Sequence, residues 1–216
     1  MRIVLALVTI LSALAAVASP RGESAAIPHC FLGGPANIRA VLDIKGNYGF
    51  SLVAGVHAGR PWRVCQYTSQ DVPDPVISAW VGVFPFVGKF PERVGNVDEF
   101  CFQAFITALQ YEQRACLLLR KAEAERDPER KIRLLYAALA KIGDVDQLTS
   151  GFAGNPAFRS NTTKGYGSDV WVYLRSSGAL VHTHCIKAAR GDPESRYDAC
   201  AERAARAIVS KTVGKK

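Results

Sequence analysis

The sequence lacks the short motifs that identify most enzymes. A GxSxG nucleophile elbow, an HExxH zinc pair, a glycine-rich phosphate loop and a CxxC pair are all missing from its 216 residues. Its acidic pairs, such as Asp98-Glu99, stand where helices are expected to begin or end, and helix capping explains them. We therefore expect no catalytic residue, no cofactor and no metal site, and hence a protein that is not an enzyme.

Long apolar runs are also absent beyond the N-terminus. There, Arg2 precedes an apolar run from Ile3 to Val17, and Ala16-Val17-Ala18 forms a small-residue cleavage site. This pattern predicts a signal peptide at residues 1–18 and a periplasmic or secreted protein. Because the run is shorter than the roughly 20 residues of a membrane span, the mature chain is not expected to be an integral membrane protein. A retained N-terminal anchor is the alternative.

Acidic residues are in the minority, and the formal net charge is +8 at pH 7. The basic side chains are spread over residues 114–133, 187–206 and 211–216 and form no dense block with interleaved aromatic residues. We therefore expect no nucleic-acid partner. Affinity for anionic envelope surfaces or acidic partners, or solubility alone, accounts for the charge.

The number of cysteines is even, and all of them follow the predicted cleavage site. An even count in an exported protein favours disulfides, which leave no thiol as a nucleophile. On one continuous helix, Cys101 and Cys116 would lie about 22 Å apart, beyond the limit of about 7 Å for a bridge, and each would then need another partner. The six cysteines are Cys30, Cys65, Cys101, Cys116, Cys185 and Cys200.

The region from residue 19 to 95 has the pattern of a β-meander. Apolar and polar residues alternate over 38–45, and the alternation continues over 50–56 and 62–67, with turn residues between the segments. The alternation predicts three antiparallel strands. Prolines spread over 71–91 argue against a long helix or a central strand there, and leave a short apolar element at 76–83 followed by a loop.

The region from residue 96 to 150 has the pattern of a helical hairpin. Asn96 and Asp127 are good N-caps, and apolar residues recur at helical spacing from the first to Glu125 and from the second to Gly143. This regular spacing is typical of core residues. The stretch from 151 to 167 is rich in Gly, Asn, Ser and Thr, which predicts a connecting loop.

The C-terminal region, residues 165–216, has the pattern of two strands followed by a helix. Alternating residues at 170–175 and an apolar segment at 180–186 flank the turn Ser176-Ser177-Gly178. Gly191-Asp192-Pro193 then opens an alanine-rich helix. The whole chain is therefore predicted to be α+β, with an N-terminal antiparallel meander, a central helical hairpin and a C-terminal β-β-α unit, stabilised by disulfides.

Residues 165 to 210 resemble the C-terminal domain of the TonB and TolA envelope proteins. The resemblance is carried by an alternating strand, a short turn with Gly, a second strand with Cys, and an Ala- and Arg-rich helix with another Cys. Here these are Val170 to Leu174, Ser177-Gly178, Cys185-Ile186-Lys187, Gly191-Asp192-Pro193, and Cys200 followed by 201–206. The resemblance implies a domain that docks an envelope protein or peptide in the periplasm by adding a strand to an open sheet edge.

The resemblance also implies a disulfide between Cys185 and Cys200, and the pattern of faces agrees with it. Cys185 shares its strand face with Thr183, and Cys200 lies on the side of the helix that should cover that face. The other four cysteines would then tie the meander to the helical hairpin. Cys30 with Cys65 is the more local possibility.

The opposite strand face carries large aromatic residues and two histidines. We expect this face to be exposed and to bind a partner, because such side chains dominate binding surfaces. If another region packs there instead, the same residues form an interdomain core. The candidate partner-binding residues are Trp171, Tyr173, Arg175, His182 and His184.

The two histidines of that face also leave an alternative function open. His182 and His184 are neighbours on one side of a strand, and two imidazoles alone do not make a metal or catalytic site. A secreted hydrolase or a toxin-like effector, with or without zinc, would need a third polar group brought from the N-terminal half. Without it, a solvent-facing histidine pair is expected.

Overall fold

The computed structural model describes residues 30–70, 76–91, 95–161, 167–187 and 194–213. The predicted signal peptide lies outside these residues. Within them, no helix combines the length and the apolar character that a membrane crossing requires. In chain order the elements are α1 (Pro35–Leu42), β1 (Tyr48–His57), β2 (Arg60–Ser69), β3 (Val76–Pro85), α2 (Val97–Thr107), α3 (Gln110–Ala124), α4 (Pro128–Leu139), β4 (Asp144–Gln147), β5 (Ala157–Asn161), β6 (Gly167–Leu174), β7 (Ala179–Lys187) and α5 (Glu194–Val213).

The strands of the described residues form one seven-stranded antiparallel sheet in the order β1-β2-β3-β7-β6-β5-β4. The N-terminal meander is therefore β1 to β3, and it joins the C-terminal hairpin through β3 and β7. This confirms the predicted α+β fold, with its meander, its helices and its C-terminal strand-strand-helix unit. The two outer strands are β1 and β4.

Helices cover both faces of the sheet. On one face, α5 lies across β6 and β7 and packs its small residues against alternate strand residues such as Val172 and Val181, with α1 beside it. On the other face, α2, α3 and α4 pack over Trp171, Tyr173 and Leu180. Because successive strand residues point to opposite faces, β6 contributes to both cores and is buried along its length.

Residues 35–42 form a helix where the alternation predicts a strand. Ile38 and Leu42 are buried, and residues four apart share a helix face as well as a strand face. Pro35 suits the first turn of a helix, where its missing N–H is not needed. The strand prediction over 38–45 is therefore wrong, because the pattern fits both periods.

The proline-rich segment contains a central strand, contrary to the prediction. The apolar residues at 76–83 form β3, which pairs with β2 on one side and β7 on the other. Proline is excluded from the middle of a sheet because it lacks the N–H donor. Here Pro85 is the last residue of β3, and the other prolines of the segment lie outside the strand, so the pairing along the strand is preserved.

The first helix of the predicted hairpin is two helices. It breaks at Ala108, whose φ of 55° lies in the left-handed region, and α3 then folds back on α2. Cys101 and Cys116 are thereby brought to a Cα separation of 5.1 Å and form a disulfide. The prediction that each must pair elsewhere is therefore wrong, because it assumed an unbroken helix.

The other two disulfides agree with the sequence. Cys185 bonds to Cys200, as the resemblance implies, and Cys30 bonds to Cys65, the more local of the possibilities left open. All six cysteines are paired. The meander is therefore not tied by sulfur to the helices α2 to α4.

The bounds of the helices and of the connecting loop differ in part from the sequence predictions. The predicted caps are confirmed, since the side chain of Asn96 accepts from the backbone N–H of Glu99 and that of Asp127 accepts from two backbone N–H groups of α4. However, α4 ends at Leu139 and not at Gly143. The predicted loop at 151–167 contains β5, which pairs with β4 and β6, so short polar residues did not prevent a strand.

Candidate functional site

The most unusual group of side chains lies on the face of the sheet covered by α2, α3 and α4. On the neighbouring strands β6 and β7, Asp169 stands opposite His184, and Trp171 stands opposite His182. Trp80 of β3 lies on the other side of His184. Register alone therefore brings a carboxylate, two imidazoles and two indoles together.

One carboxylate oxygen holds both histidines. Oδ1 of Asp169 accepts from Nε2 of His182 at 2.7 Å and from Nδ1 of His184 at 2.8 Å. All three residues are buried, with exposed fractions of 6%, 3% and 9%. We call Asp169, His182 and His184 the acid–histidine cluster.

The charge state of the cluster follows from its hydrogen bonds. Burial alone would raise the pKa of Asp169, but the two imidazole donors outweigh it and hold the pKa at about 2. Burial lowers the pKa of His182, against the opposing pull of Asp169. At neutral pH the cluster therefore contains an ionised carboxylate beside a neutral His182.

The second ring nitrogen of His182 has no partner in the described residues. With Nε2 donating to Asp169, Nδ1 of the neutral ring carries a lone pair. That atom is buried and makes no hydrogen bond. Buried polar atoms are rarely left without a partner, so Nδ1 is a candidate acceptor for a group that binds here.

Two tryptophans hold the ring of His182 in place. Trp171 stacks on it, with 3.4 Å between ring centroids, and Trp80 approaches edge-on at 4.3 Å. Nε1 of Trp171 donates to Oγ of Ser160 at 3.0 Å, which fixes the stacked ring in turn. These contacts restrict the orientation of the His182 ring.

A cavity of about 320 Å³ lies between the cluster and the three helices. Its surface is mainly apolar, and the acid–histidine cluster supplies polar groups on the side of the sheet. A concave apolar site with a few converging polar groups is the usual form of a small-molecule site. The apolar wall includes Trp80, Phe100, Leu119, Leu135, Leu139 and Ile142.

The cluster does not have the form of a metal centre. The described residues contain no group of three or more His, Cys, Asp or Glu side chains placed to hold a metal ion. Each imidazole nitrogen that faces Asp169 carries a proton donated to that carboxylate, and a protonated nitrogen cannot ligate a metal. The arrangement is suited to hydrogen bonding.

The structure places the candidate partner-binding residues on one face, as expected, but that face is not exposed. Trp171, Tyr173, His182 and His184 are buried beneath α2 to α4. The expectation of a solvent-facing surface is therefore wrong, and the alternative of a covered face fits, with helices as the cover. Arg175 is exposed, and its Nε lies 2.6 Å from Oε1 of Glu129. That these residues bind a partner stays a prediction.

Sequence reasoning missed Asp169. The third polar group was expected from the N-terminal half, and the structure supplies it from β6, the strand next to the histidines. A signal was present, because counting back from the turn at 176–178 places Asp169 opposite His184. The contribution of Trp80 had no such local signal.

A second notable surface lies on the outside of α2 and α3. Six large apolar residues there are exposed, and the exposed fraction of Phe105 reaches 78%. Several large apolar side chains exposed on neighbouring helices are typical of interaction sites. This α2–α3 apolar surface consists of Phe102, Phe105, Ile106, Leu109, Tyr111 and Leu117.

No family model, curated protein or solved structure matches the chain. The resemblance to the TonB and TolA domains therefore stays a prediction. The three disulfides indicate an extracytoplasmic protein, because such bonds persist in oxidising compartments.

Proposed function

We propose that this chain is an exported binding protein that holds a small, mainly apolar molecule in the cavity between the sheet and α2 to α4. The observation that carries the proposal is that two buried polar residues line an apolar cavity: the ionised Asp169, and His182, whose Nδ1 has no hydrogen-bond partner among the described residues. Its place of action is the periplasm or the exterior of the cell.

The energetic cost of the cluster supports a binding role. Burying an ionised group is costly, and leaving a buried acceptor unpaired costs about 1–3 kcal/mol. A core that served stability alone would be better filled by apolar side chains of the same volume. A ligand that donates to Nδ1 of His182 would remove the penalty of the unpaired atom.

Binding is favoured over catalysis by what surrounds the imidazoles. Nucleophilic catalysis pairs a base with a hydroxyl or thiol within hydrogen-bond reach. In the described part of the chain, neither imidazole has such a partner, and every cysteine is in a disulfide. The acid–histidine cluster is therefore suited to recognition by hydrogen bonding.

Binding of a neutral fluorescent probe, N-phenyl-1-naphthylamine, tests the proposal. We expect micromolar binding to the wild type with a change in tryptophan emission, because Trp80 and Trp171 line the cavity. Leu139→Trp should fill the cavity and weaken binding by about tenfold or more, which is about 1.4 kcal/mol. Ile142→Trp is a second filling variant in case the first does not fold.

Arg130→Trp is the matched control, because Arg130 is exposed on α4, the helix that carries Leu139, and lies outside the cavity lining. It should bind the probe like the wild type. Equal binding by the filled variants, or no binding by the wild type, would refute the proposal.

A second candidate is docking of an envelope protein or peptide by strand addition, as the TonB resemblance implies. Within the described sheet, β6 and β7 are paired on both sides, so neither offers an open edge. The outer strand β1 does, over ten residues, against four in β4. The length of this edge favours β1 as the docking strand.

Photocrosslinking along β1 tests this candidate. Probes placed one by one at residues 48–57 should capture an envelope protein with a two-residue period, because alternate side chains point to opposite faces. Ala54→Pro should abolish the captures, since the N–H of Ala54 points away from β2 to the open edge and proline removes this donor. Captures without periodicity, or captures that survive this substitution, count against docking at β1.

A further inference from the structure

We infer that the cavity binds a small organic cation, an amine carried on an apolar body, in which the ammonium group lies against the acid–histidine cluster. The inference rests on the proposed binding role and names the class of its ligand. Charge, hydrogen bonding, aromatic surroundings and cavity size each contribute to it.

The charge of the cluster is the first argument. In the part of the chain that the structure describes, the partners of Asp169 are two imidazoles, and no lysine or arginine is among them. With His182 neutral, the carboxylate of Asp169 has no lysine or arginine counter-ion among the described residues on the wall of an apolar cavity. A buried charge is usually paired, and a cationic ligand would supply the missing counter-ion.

The hydrogen-bonding capacity is the second argument. Nδ1 of His182 is a buried acceptor without a partner among the residues that the structure describes, so a ligand that contacts it must bring a donor. An ammonium group has three hydrogen-bond donors and no acceptor. It therefore complements a site in which the unpaired hydrogen-bonding atom is an acceptor. A carboxylate or phosphate would bring only acceptors and would also face the charge of Asp169.

The aromatic rings are the third argument. Trp80 and Trp171 flank His182 and also line the cavity. The face of an indole ring attracts a cation through its quadrupole, and tryptophan is the strongest of the aromatic residues in this respect. A neutral alcohol could donate to Nδ1 but would gain neither this attraction nor that of the carboxylate.

The cavity limits the size of the ligand. A volume of about 320 Å³ lies at the lower end of the range for drug-sized ligands. The apolar wall, with Phe100 and Leu135 among its residues, would cover the ligand body. One or two fused rings, or an alkyl chain of similar volume, would fill the space.

Three ligands that share one body test the assignment by titration calorimetry. We expect 2-(1-naphthyl)ethylamine to bind about tenfold or more tightly than 2-(1-naphthyl)ethanol, and 1-naphthaleneacetate to show no binding. In Asp169→Asn the advantage of the amine over the alcohol should disappear. Asp146→Asn, which alters an exposed carboxylate of β4, should retain it.

The outcomes separate the two proposals. If the amine and the alcohol bind equally, or the carboxylate binds best, the cation assignment is wrong, while the cavity remains a binding site. If all three ligands and the neutral probe fail to bind, both proposals are wrong. If Asp169→Asn does not fold, the trimethylammonium analogue in the wild type replaces it. This analogue lacks N–H donors and should bind more weakly than the amine.

Discussion

Lys131 is a buried lysine that forms no ion pair among the described residues. It lies on α4 with an exposed fraction of 1%, and its Nζ donates to the carbonyl of Gly88. The ammonium group stands 5.3 Å from the ring centroid of Phe86 and 5.0 Å from that of Phe90. Burial lowers its pKa to about 8, which the nearby acidic side chains only partly oppose.

This pKa predicts how stability changes at alkaline pH. The unfolded lysine keeps its proton up to about pH 10.5, while the folded one loses it near pH 8. Between these values the unfolded state binds more protons, so the free energy of unfolding rises with pH, and the penalty of the buried charge is fully present below pH 8.

Lys131→Met should remove that rise and stabilise the protein by about 1 kcal/mol at pH 7. Urea unfolding from pH 7 to pH 10.5 measures both effects. Lys121→Met, at an exposed position of α3, is the control and should leave the rise unchanged. A rise that persists in Lys131→Met would show that another group causes it.

At the scale of residues, the sequence predicts what depends on near neighbours. The caps Asn96 and Asp127 follow from local hydrogen bonding, and His182 and His184 share a face because of the strand period. The burial of the two histidines could not be predicted in this way. It depends on α2 to α4 crossing that face, which is a contact between distant parts of the chain.

At the scale of elements, the turn between α2 and α3 determines where the two cysteines meet. Ala108 occupies the left-handed region at the end of α2, with φ of 55°. A residue with a Cβ atom is strained there by about 1–2 kcal/mol, whereas glycine is not. The disulfide of Cys101 and Cys116 holds the two helices on either side of this strained residue.

Ala108→Gly should therefore stabilise the protein by about 1 kcal/mol. The control is Ala140→Gly at the end of α4, where the backbone is right-handed with φ of −65°. That change should destabilise the protein by about 0.5 kcal/mol, because glycine loses more entropy on folding. Thermal unfolding compares them, and a loss of stability in Ala108→Gly would contradict the role of backbone strain.

Two elements show why pattern reasoning stops short of the fold. The residues of α1 match both a helix and a strand, and contact with α5 favours the helix. The prolines around β3 indicated a loop, yet the strand fits between them and becomes central. In both cases the deciding contacts come from residues far away in the sequence.

At the scale of the molecule, the three disulfides fasten separate parts of the fold. Cys30–Cys65 ties the N-terminal segment to β2, Cys101–Cys116 ties α2 to α3, and Cys185–Cys200 ties β7 to α5. The first closes a loop of 35 residues and the third a loop of 15. The chain-entropy model therefore predicts that the Cys30–Cys65 disulfide contributes more to the free energy of unfolding than the Cys185–Cys200 disulfide.

Replacing both cysteines of a pair by serine should measure these contributions. We expect a loss of about 4 kcal/mol for the pair Cys30 and Cys65 and about 3 kcal/mol for the pair Cys185 and Cys200. Urea unfolding gives the values, after non-reducing peptide mass spectrometry has verified the bridges in the wild type. The reverse order of losses would count against loop closure as their source.

The pairing of β3 with β7 also has a consequence for how the chain acquires its shape. Val81 of β3 pairs with Thr183 of β7, which lies about a hundred residues further along the chain. The middle of the sheet therefore cannot form until β7 has been synthesised. Contacts of such long range slow folding, and the waiting edge of β3 is prone to aggregation. Nearly the whole polypeptide would have to leave the ribosome or the translocation channel before β3 could pair with β7. Truncation before β7 should therefore leave an insoluble product in place of a smaller folded protein.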